Sequence, residues 1–404
     1  MHRSWNTAAP LALAVAVTFG AGLLPAAAAD DAAKIIAEAA KTPDSSFCGN
    51  KKITLGIHDG FGVNGWSRAS MAAVRSEAAK CANVKQVVRI GQGDLQRSIS
   101  DVNGLVSEGV DALAIIPDWG KSQLPSLRAA TDAGVKVVPW AADPAGNDKD
   151  YVAYLDWDEH YAGAAWAEWV AKALHGEGNV AFLGGPAGNP VSAHELAGVV
   201  DTFKKYPKIK LLTGDKEWPV TNWDSAMIQQ QMTALLGKFP KIDAVINDSD
   251  GFAALGVVRT YQAADKSLVP LGSLEANGLA CEYLKLKDKN PNFQIGTISG
   301  RNWIGRIAAR KAIAAAQGIP NNEPTRFDLG IFEDSLGGRA PICDPAAGPD
   351  TSTPIGLRPK SSRSTVSPNS ELQSPCCRCP AARSLAYRTS SRLFPAWSRL
   401  VGSA

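Results

Sequence analysis

From residue 51 onward, short apolar runs alternate with stretches whose apolar positions recur at helical spacing. The runs at 53–57, 86–90, 112–116 and 135–139 have strand length, and helical stretches at about 66–81, 95–108 and 123–133 separate them. Gly109 and Gly134 stand where two of those helices should stop. After a turn-rich segment at 143–150 the alternation restarts. Its strands are expected at 152–155, 180–183, 209–213, 244–247, 269–271 and 294–298, with helices at about 159–175, 193–206, 225–238, 252–264 and 279–286. Strands that are apolar throughout, rather than at every second residue, belong to parallel sheets covered on both faces. The pattern therefore predicts an α/β chain with two parallel-sheet, Rossmann-like domains in succession. Ligands of such a chain belong beyond the carboxyl ends of the strands, where loops of both domains can face one another.

The two ends of the chain follow different rules. Residues 1–29 read as a cleaved secretion leader: Arg3, an apolar run at 11–24, and small residues at 26–29 followed by Asp30 and Asp31. No cysteine follows the cleavage region, so a free periplasmic or secreted protein is expected rather than a lipid-anchored one. From about residue 345 the composition turns to Ser, Pro and Arg, with the cluster Cys376, Cys377 and Cys379. Such a stretch buries too little apolar surface to offset its chain entropy. It reads as a disordered extension or as the product of a reading-frame shift near Asp344.

Charge changes the picture once the ends are set aside. The whole chain is +3, but residues 30–344 carry 33 basic and 37 acidic side chains, a net of −4. No basic stripe remains, and nucleic acid is not expected as a partner. Four cysteines lie in the body, Cys48, Cys81, Cys281 and Cys343. In an oxidising compartment an even number reads as disulfides, and three pairings are open. Cys48–Cys81 with Cys281–Cys343 is preferred because each pair then falls within one half of the body; free buried thiols are the alternative. Neither CxxC nor HxxxH spacing occurs there, so no metal and no cofactor is expected.

The strand-end loops are rich in aromatics, carboxylates and amides: Phe61, Asn64 and Trp66; Asp118; Trp140 and Asp143; Asn189; Trp223; Asp248; Glu275; Arg301. Sugar rings call for this combination. Flat aromatic faces cover their C–H surfaces, while Asp, Asn and Arg satisfy the hydroxyls. Enzymatic readings are weaker. The carboxylate pairs Asp248/Asp250 or Asp143/Glu275 could serve a glycosidase, but hydroxyl recognition accounts for the same residues without catalysis. The glycine-rich turn at 184–188 lacks the Gly-Lys-Ser/Thr ending of a phosphate loop, and neither a GxSxG elbow nor an HExxH pair is present in the sequence.

The order of these elements resembles the type I periplasmic binding proteins, the ribose- and galactose-binding group of sugar transport. The resemblance covers about 51–344. It is carried by Asn64-Gly65-Trp66, VDALAIIPD at 110–118, AGVKVV at 133–138, DAVIND at 243–248, AALG at 253–256 and IGTI at 295–298. It implies two lobes joined by a three-strand hinge, with crossings near 154–156, 301–302 and 326–328. The N-terminal lobe is then 47–154 plus 302–326 and the C-terminal lobe 155–301 plus 327–344. It further implies that Trp66 and Trp223 stack on the ligand. Asp143, with Trp140 close by, takes the acidic position after the fourth strand, Asp248 an Asn/Asp position, Glu275 the ligand aspartate and Arg301 the last polar contact. Two departures touch ligand identity: Ile116 stands where ribose binders have Asn, and Asn189 and His194 occupy a loop that lacks the expected Arg. The implied role is a non-enzymatic, monomeric receptor of an ABC importer that carries a monosaccharide or polyol to a membrane permease. A same-fold receptor feeding a sensor kinase or chemoreceptor, and a periplasmic glycoside hydrolase, are the alternatives.

Overall fold

The computed structural model describes residues 45–352. The leader at 1–29 and the segment 353–404, with Cys376, Cys377 and Cys379, lie outside the described residues. The first sheet is wholly parallel and contains β1 (Ile53–Asp59), β2 (Val84–Ile90), β3 (Ala112–Ile116) and β4 (Lys136–Pro139), in the order β2-β1-β3-β4. The second contains β5 (Glu177–Leu183), β6 (Lys208–Leu211), β7 (Ala244–Asn247), β8 (Leu271–Leu274), β9 (Ile295–Ile298) and β10 (Glu333–Asp334), in the order β10-β9-β8-β7-β5-β6. Among the described strands only β10 runs antiparallel to its neighbour. Strands β3, β7, β8 and β9 are buried along their whole length, which is why they read as unbroken apolar runs.

The connecting α-helices are α1 (Gly65–Ala78), α2 (Leu95–Ser107), α3 (Leu124–Asp132), α4 (Glu159–Ala173), α5 (Pro190–Phe203), α6 (Ser225–Lys238), α7 (Gly251–Ala263), α8 (Asn277–Leu286) and α9 (Ile304–Gln317). Helices α1 to α3 and α9 cover the first sheet, and the others cover the second. One apolar core fills a face of each sheet and runs without interruption from one lobe to the other through Trp140, Leu155, Trp157, Trp303 and Phe327. Two further cores cover the remaining faces, one in each lobe. The chain passes between lobes three times. It leaves the first after β4, returns with α9 after β9, and enters the second again to form β10. Parallel bridges Trp140–Leu155 and Asp156–Arg326 tie the crossing segments together. This is the two-lobed type I architecture.

Both disulfides form, Cys48–Cys81 and Cys281–Cys343. Several local expectations are corrected. Residues 152–155 are not a strand, because only Leu155 and Asp156 bridge to neighbours as the chain crosses between lobes. The strand expected at 269–271 begins at Leu271, since Pro270 has no N–H to place in the ladder. Helix α5 starts at Pro190 rather than 193: Asn189 caps it and the proline fills its first turn. Residues 345–352 are hydrogen-bonded to α8 rather than detached.

Candidate functional site

Four helix caps bring polar side chains to the strand ends. Asn64 caps α1 and accepts from the Ser67 amide at 2.8 Å, and Asn189 caps α5 and accepts from Val191 at 2.9 Å. Asp224 caps α6, and Asp250 caps α7 by accepting from Ala253 at 2.9 Å. Each cap satisfies an amide that has no partner within its own helix. Between the two lobes, at this end of both sheets, lies a small, partly open cavity lined by residues of both.

The first lobe supplies a wall of rings and one carboxylate. Phe61, just past β1, donates its amide to Asp59 Oδ1 and to Asp118 Oδ2, each at 2.9 Å. Trp66 sits in the first turn of α1 and donates Nε1 to the Gly300 carbonyl at 2.6 Å. Ile116, Ala141 and Ala142 complete this side from the ends of β3 and β4. Asp59 and Asp118 are both buried side by side. Burial pushes Asp59 up to about 6, and burial together with the charge of Asp59 pushes Asp118 well above the usual carboxylate range.

The second lobe supplies most of the charge. Trp223 packs directly on Gly185, where a Cβ would fall 2.1 Å from the indole, and donates Nε1 to Asp248 Oδ1 at 2.9 Å. The other oxygen of Asp248 accepts from the Ser192 hydroxyl and from the Gly185 amide. Burial pushes Asp248 up to about 7, against the pull of these donors. Asp250 is likewise raised by burial. Arg301 is 1% exposed, donates Nη2 to Glu195 Oε1 at 3.1 Å, and lies 3.8 Å over the Trp157 ring. Its Nε and Nη1 have no protein acceptor, although the residue lines the cavity. A buried guanidinium with two idle donors is poised for ligand oxygens.

Contacts between the lobes close the cavity. Phe61 meets Trp223 edge-on at 5.5 Å, and Asn189 donates to the Asp118 carbonyl at 2.9 Å. The Trp66 indole reaches the Gly300 carbonyl across the same gap. Three lining residues, Ala141, Trp223 and Arg301, have φ of +71°, +53° and +63°. Non-glycine residues in this left-handed region carry strain, and such strain concentrates where a fold clamps a ligand.

Of the residues expected from sequence, Phe61, Asn64, Trp66, Asp118, Trp223, Asp248 and Arg301 line this one cavity. Trp140, Asp143, Asn189 and Glu275 do not. Trp140 is 1% exposed and packs on Trp66 with ring centroids 6.2 Å apart. Asp143 accepts from the Ala145 amide in its own turn. Glu275 accepts from the Gly300 amide at 3.0 Å and so fixes the loop that carries Arg301. The carboxylate pair Asp143/Glu275 is therefore outside the cavity, whereas Asp248 and Asp250 both line it. His194 lies near Glu159 at 3.8 Å and is partly exposed. Sequence reasoning did not place Trp157, Ser67, Ser249, Val191 or Leu274 in the site. Trp157 had one available signal, its position immediately after a lobe crossing. Among the described residues no cluster of three metal-ligating side chains is placed to hold an ion, and no helix is long and apolar enough to cross a membrane.

The chain's relatives share this architecture. A family profile described as the periplasmic binding protein domain matches residues 60–320. A xylitol-binding protein of Mycolicibacterium smegmatis is 28% identical over 239 residues, which is 59% of this chain and 65% of that protein. The D-xylose-binding periplasmic protein of Escherichia coli is 29% identical over 70% of this chain and 83% of its own length. The chain thus spans just under two thirds of the mycobacterial relative. Among solved structures, a solute-binding protein from Burkholderia graminis in complex with D-arabinose superposes with a TM-score of 0.59 at 24% identity, covering 72% of this chain and 96% of that one. One from Bacillus halodurans with bound myo-inositol gives 0.60 at 19% identity, covering 74% and 100%.

Proposed function

The chain belongs to the periplasmic binding protein domain family, and from that premise we propose that it is the solute receptor of an ABC importer for a monosaccharide or polyol. The reading rests on one observation above others: a cavity between the lobes lined together by Trp66, Trp157, Trp223, Asp118, Asp248, Asp250 and Arg301. Aromatic faces take the C–H surface of the ligand, and the carboxylates accept from its hydroxyls. Arg301 gives its two free donors to ring or hydroxyl oxygens. The ligand adds contacts to both lobes only when they are shut, so it shifts the population toward the closed form. That closed pair then docks on a membrane permease and releases its cargo. The receptor acts as a monomer, is secreted through the leader at 1–29, and performs no chemistry on what it carries. Family members named for xylitol, galactofuranose and xylose binding support this choice of ligand class.

The test is a titration of intrinsic tryptophan fluorescence with pentoses, hexoses, pentitols and inositols. Binding should perturb the emission of the three indoles saturably, and the bound compound should be recovered unaltered. A sugar cleaved or isomerised on incubation would replace the receptor with an enzyme.

A further inference from the structure

The helix α8 begins without a side-chain cap, because Ala276 occupies the capping position. Its first amides are nevertheless satisfied. Asn277 N–H donates to the Thr351 carbonyl at 2.9 Å, and Gly278 N–H donates to the Pro349 carbonyl at 2.8 Å. The Asn277 side chain gathers the same segment: its Nδ2 donates to the carbonyls of Asp344 (2.9 Å), Ala347 (3.1 Å) and Gly348 (3.3 Å), and its Oδ1 accepts from the Asp344 amide at 2.8 Å. The disulfide Cys281–Cys343 anchors the start of the segment to the middle of α8. Residues 344–352 therefore supply, from far along the chain, the cap this helix lacks. The fit is close, since a Cβ on Gly278 would stand 2.9 Å from the Pro349 carbonyl.

The far end of the segment touches the other lobe. Asp350 accepts from Arg68 Nη2 at 3.3 Å, and a Cβ on Gly65 would lie 2.9 Å from the Asp350 Cβ. Gly65 and Arg68 flank Trp66 in the first turn of α1. Asp350 also stands near enough to the cavity for its charge to push up Asp250, with Arg68 pulling the other way. The segment 344–352 itself lies beyond the residues 60–320 that the family profile matches.

We propose that residues 344–352 form an interlobe strap, fixed to the second lobe by α8 and latched to the first through Arg68, that holds the receptor shut over its ligand. An open receptor keeps the α8 contacts and loses the Arg68–Asp350 pair, so the latch acts on the closed state alone. Its effect on ligand rests on the receptor reading above; the docking of the strap on α8 does not.

The experiment uses the full-length chain with D-xylose and xylitol as probes, and reads sugar release by stopped flow alongside amide exchange at Gly278. Asp350→Arg should speed release by about threefold, the scale expected when an exposed ion pair is replaced by two like charges. The swap Arg68→Asp with Asp350→Arg should return it toward the wild-type rate. Asn277→Ala should speed release and expose the Gly278 amide to exchange, with or without sugar. Release unchanged in both Asp350→Arg and Asn277→Ala would overturn the latch, and a Gly278 amide unprotected in the wild type would overturn the strap itself. Should the wild-type chain bind neither these nor any other sugar, the receptor reading fails, and the exchange arm still decides whether the strap is docked.

Discussion

The two lobes meet the cavity with different chemistry. The four-stranded lobe presents Phe61, Trp66, Ile116 and small residues around a single lining carboxylate, Asp118. The six-stranded lobe and its crossings present Asp248, Asp250 and the Arg301–Glu195 pair, with Trp157 and Trp223 as their rings. The first lobe gives shape, and the second holds most of the desolvated charge. A ligand docked on the first lobe alone would satisfy few hydroxyls. On the proposed reading, bringing the lobes together supplies the polar half of recognition.

This asymmetry can be broken from the charged side first. Arg301→Ala leaves Glu195, 0% exposed, without its counter-ion. Unfolding in urea should show a loss of about 3–5 kcal/mol, and a loss below about 1 kcal/mol would contradict a load-carrying buried pair. The disulfides rank next, one in each lobe. Reduction should lower stability by about 2–4 kcal/mol per bridge, more for Cys281–Cys343, whose separation is 62 residues, than for Cys48–Cys81 at 33. Identical melting with and without reductant would remove the bridges from the account.

The rings sharpen the contrast. Trp223→Ala should weaken sugar binding by about 1–3 kcal/mol, since it removes a stacking face and a donor to Asp248 together. Trp140→Phe should leave affinity within about 0.5 kcal/mol and lower stability instead. Calorimetry that ranks the two the other way round would put the stacking ring in the wrong place. The smallest effect is the pH dependence of Asp248. A hydroxyl donating to its carboxylate needs the ionised form, so affinity should rise by up to about 1 kcal/mol as pH climbs through about 7. The same shift acts on folding with the opposite sense. The folded-state pKa lies above the ordinary 3.8, so the stability that proton binding at Asp248 confers is complete below 3.8 and is lost as pH rises through about 7. Asp248→Asn should reduce the slope of both profiles near pH 7, with buried Asp59 still contributing to the folding profile around pH 6, and an unchanged slope in that variant would assign them to another group.

Most of the architecture was legible because it follows from burial. Unbroken apolar strands and glycine stops locate the two sheets, and errors fall where backbone chemistry intervenes, as at Pro270 and Pro190. The site was legible by residue type but not by direction. Asn189 looks like a ligand residue because the residue types that cap helices are the same ones that bind hydroxyls. Trp140 and Trp66 stand in equivalent strand-end positions, yet only Trp66 lines the cavity. The left-handed backbone at Ala141, Trp223 and Arg301 leaves no mark on composition or period. The strap was least visible of all, because its bonds to α8 run through main-chain carbonyls that any sequence carries.

The most direct test is thermal melting of the full-length protein across a panel of pentoses, hexoses, pentitols and inositols. A ligand that binds only the folded chain raises its melting temperature by mass action, so at least one member should produce a saturable upward shift that Trp223→Ala diminishes. A panel that leaves the melting temperature unmoved at millimolar concentration, or a shift that Trp223→Ala leaves intact, would contradict carbohydrate capture between the lobes.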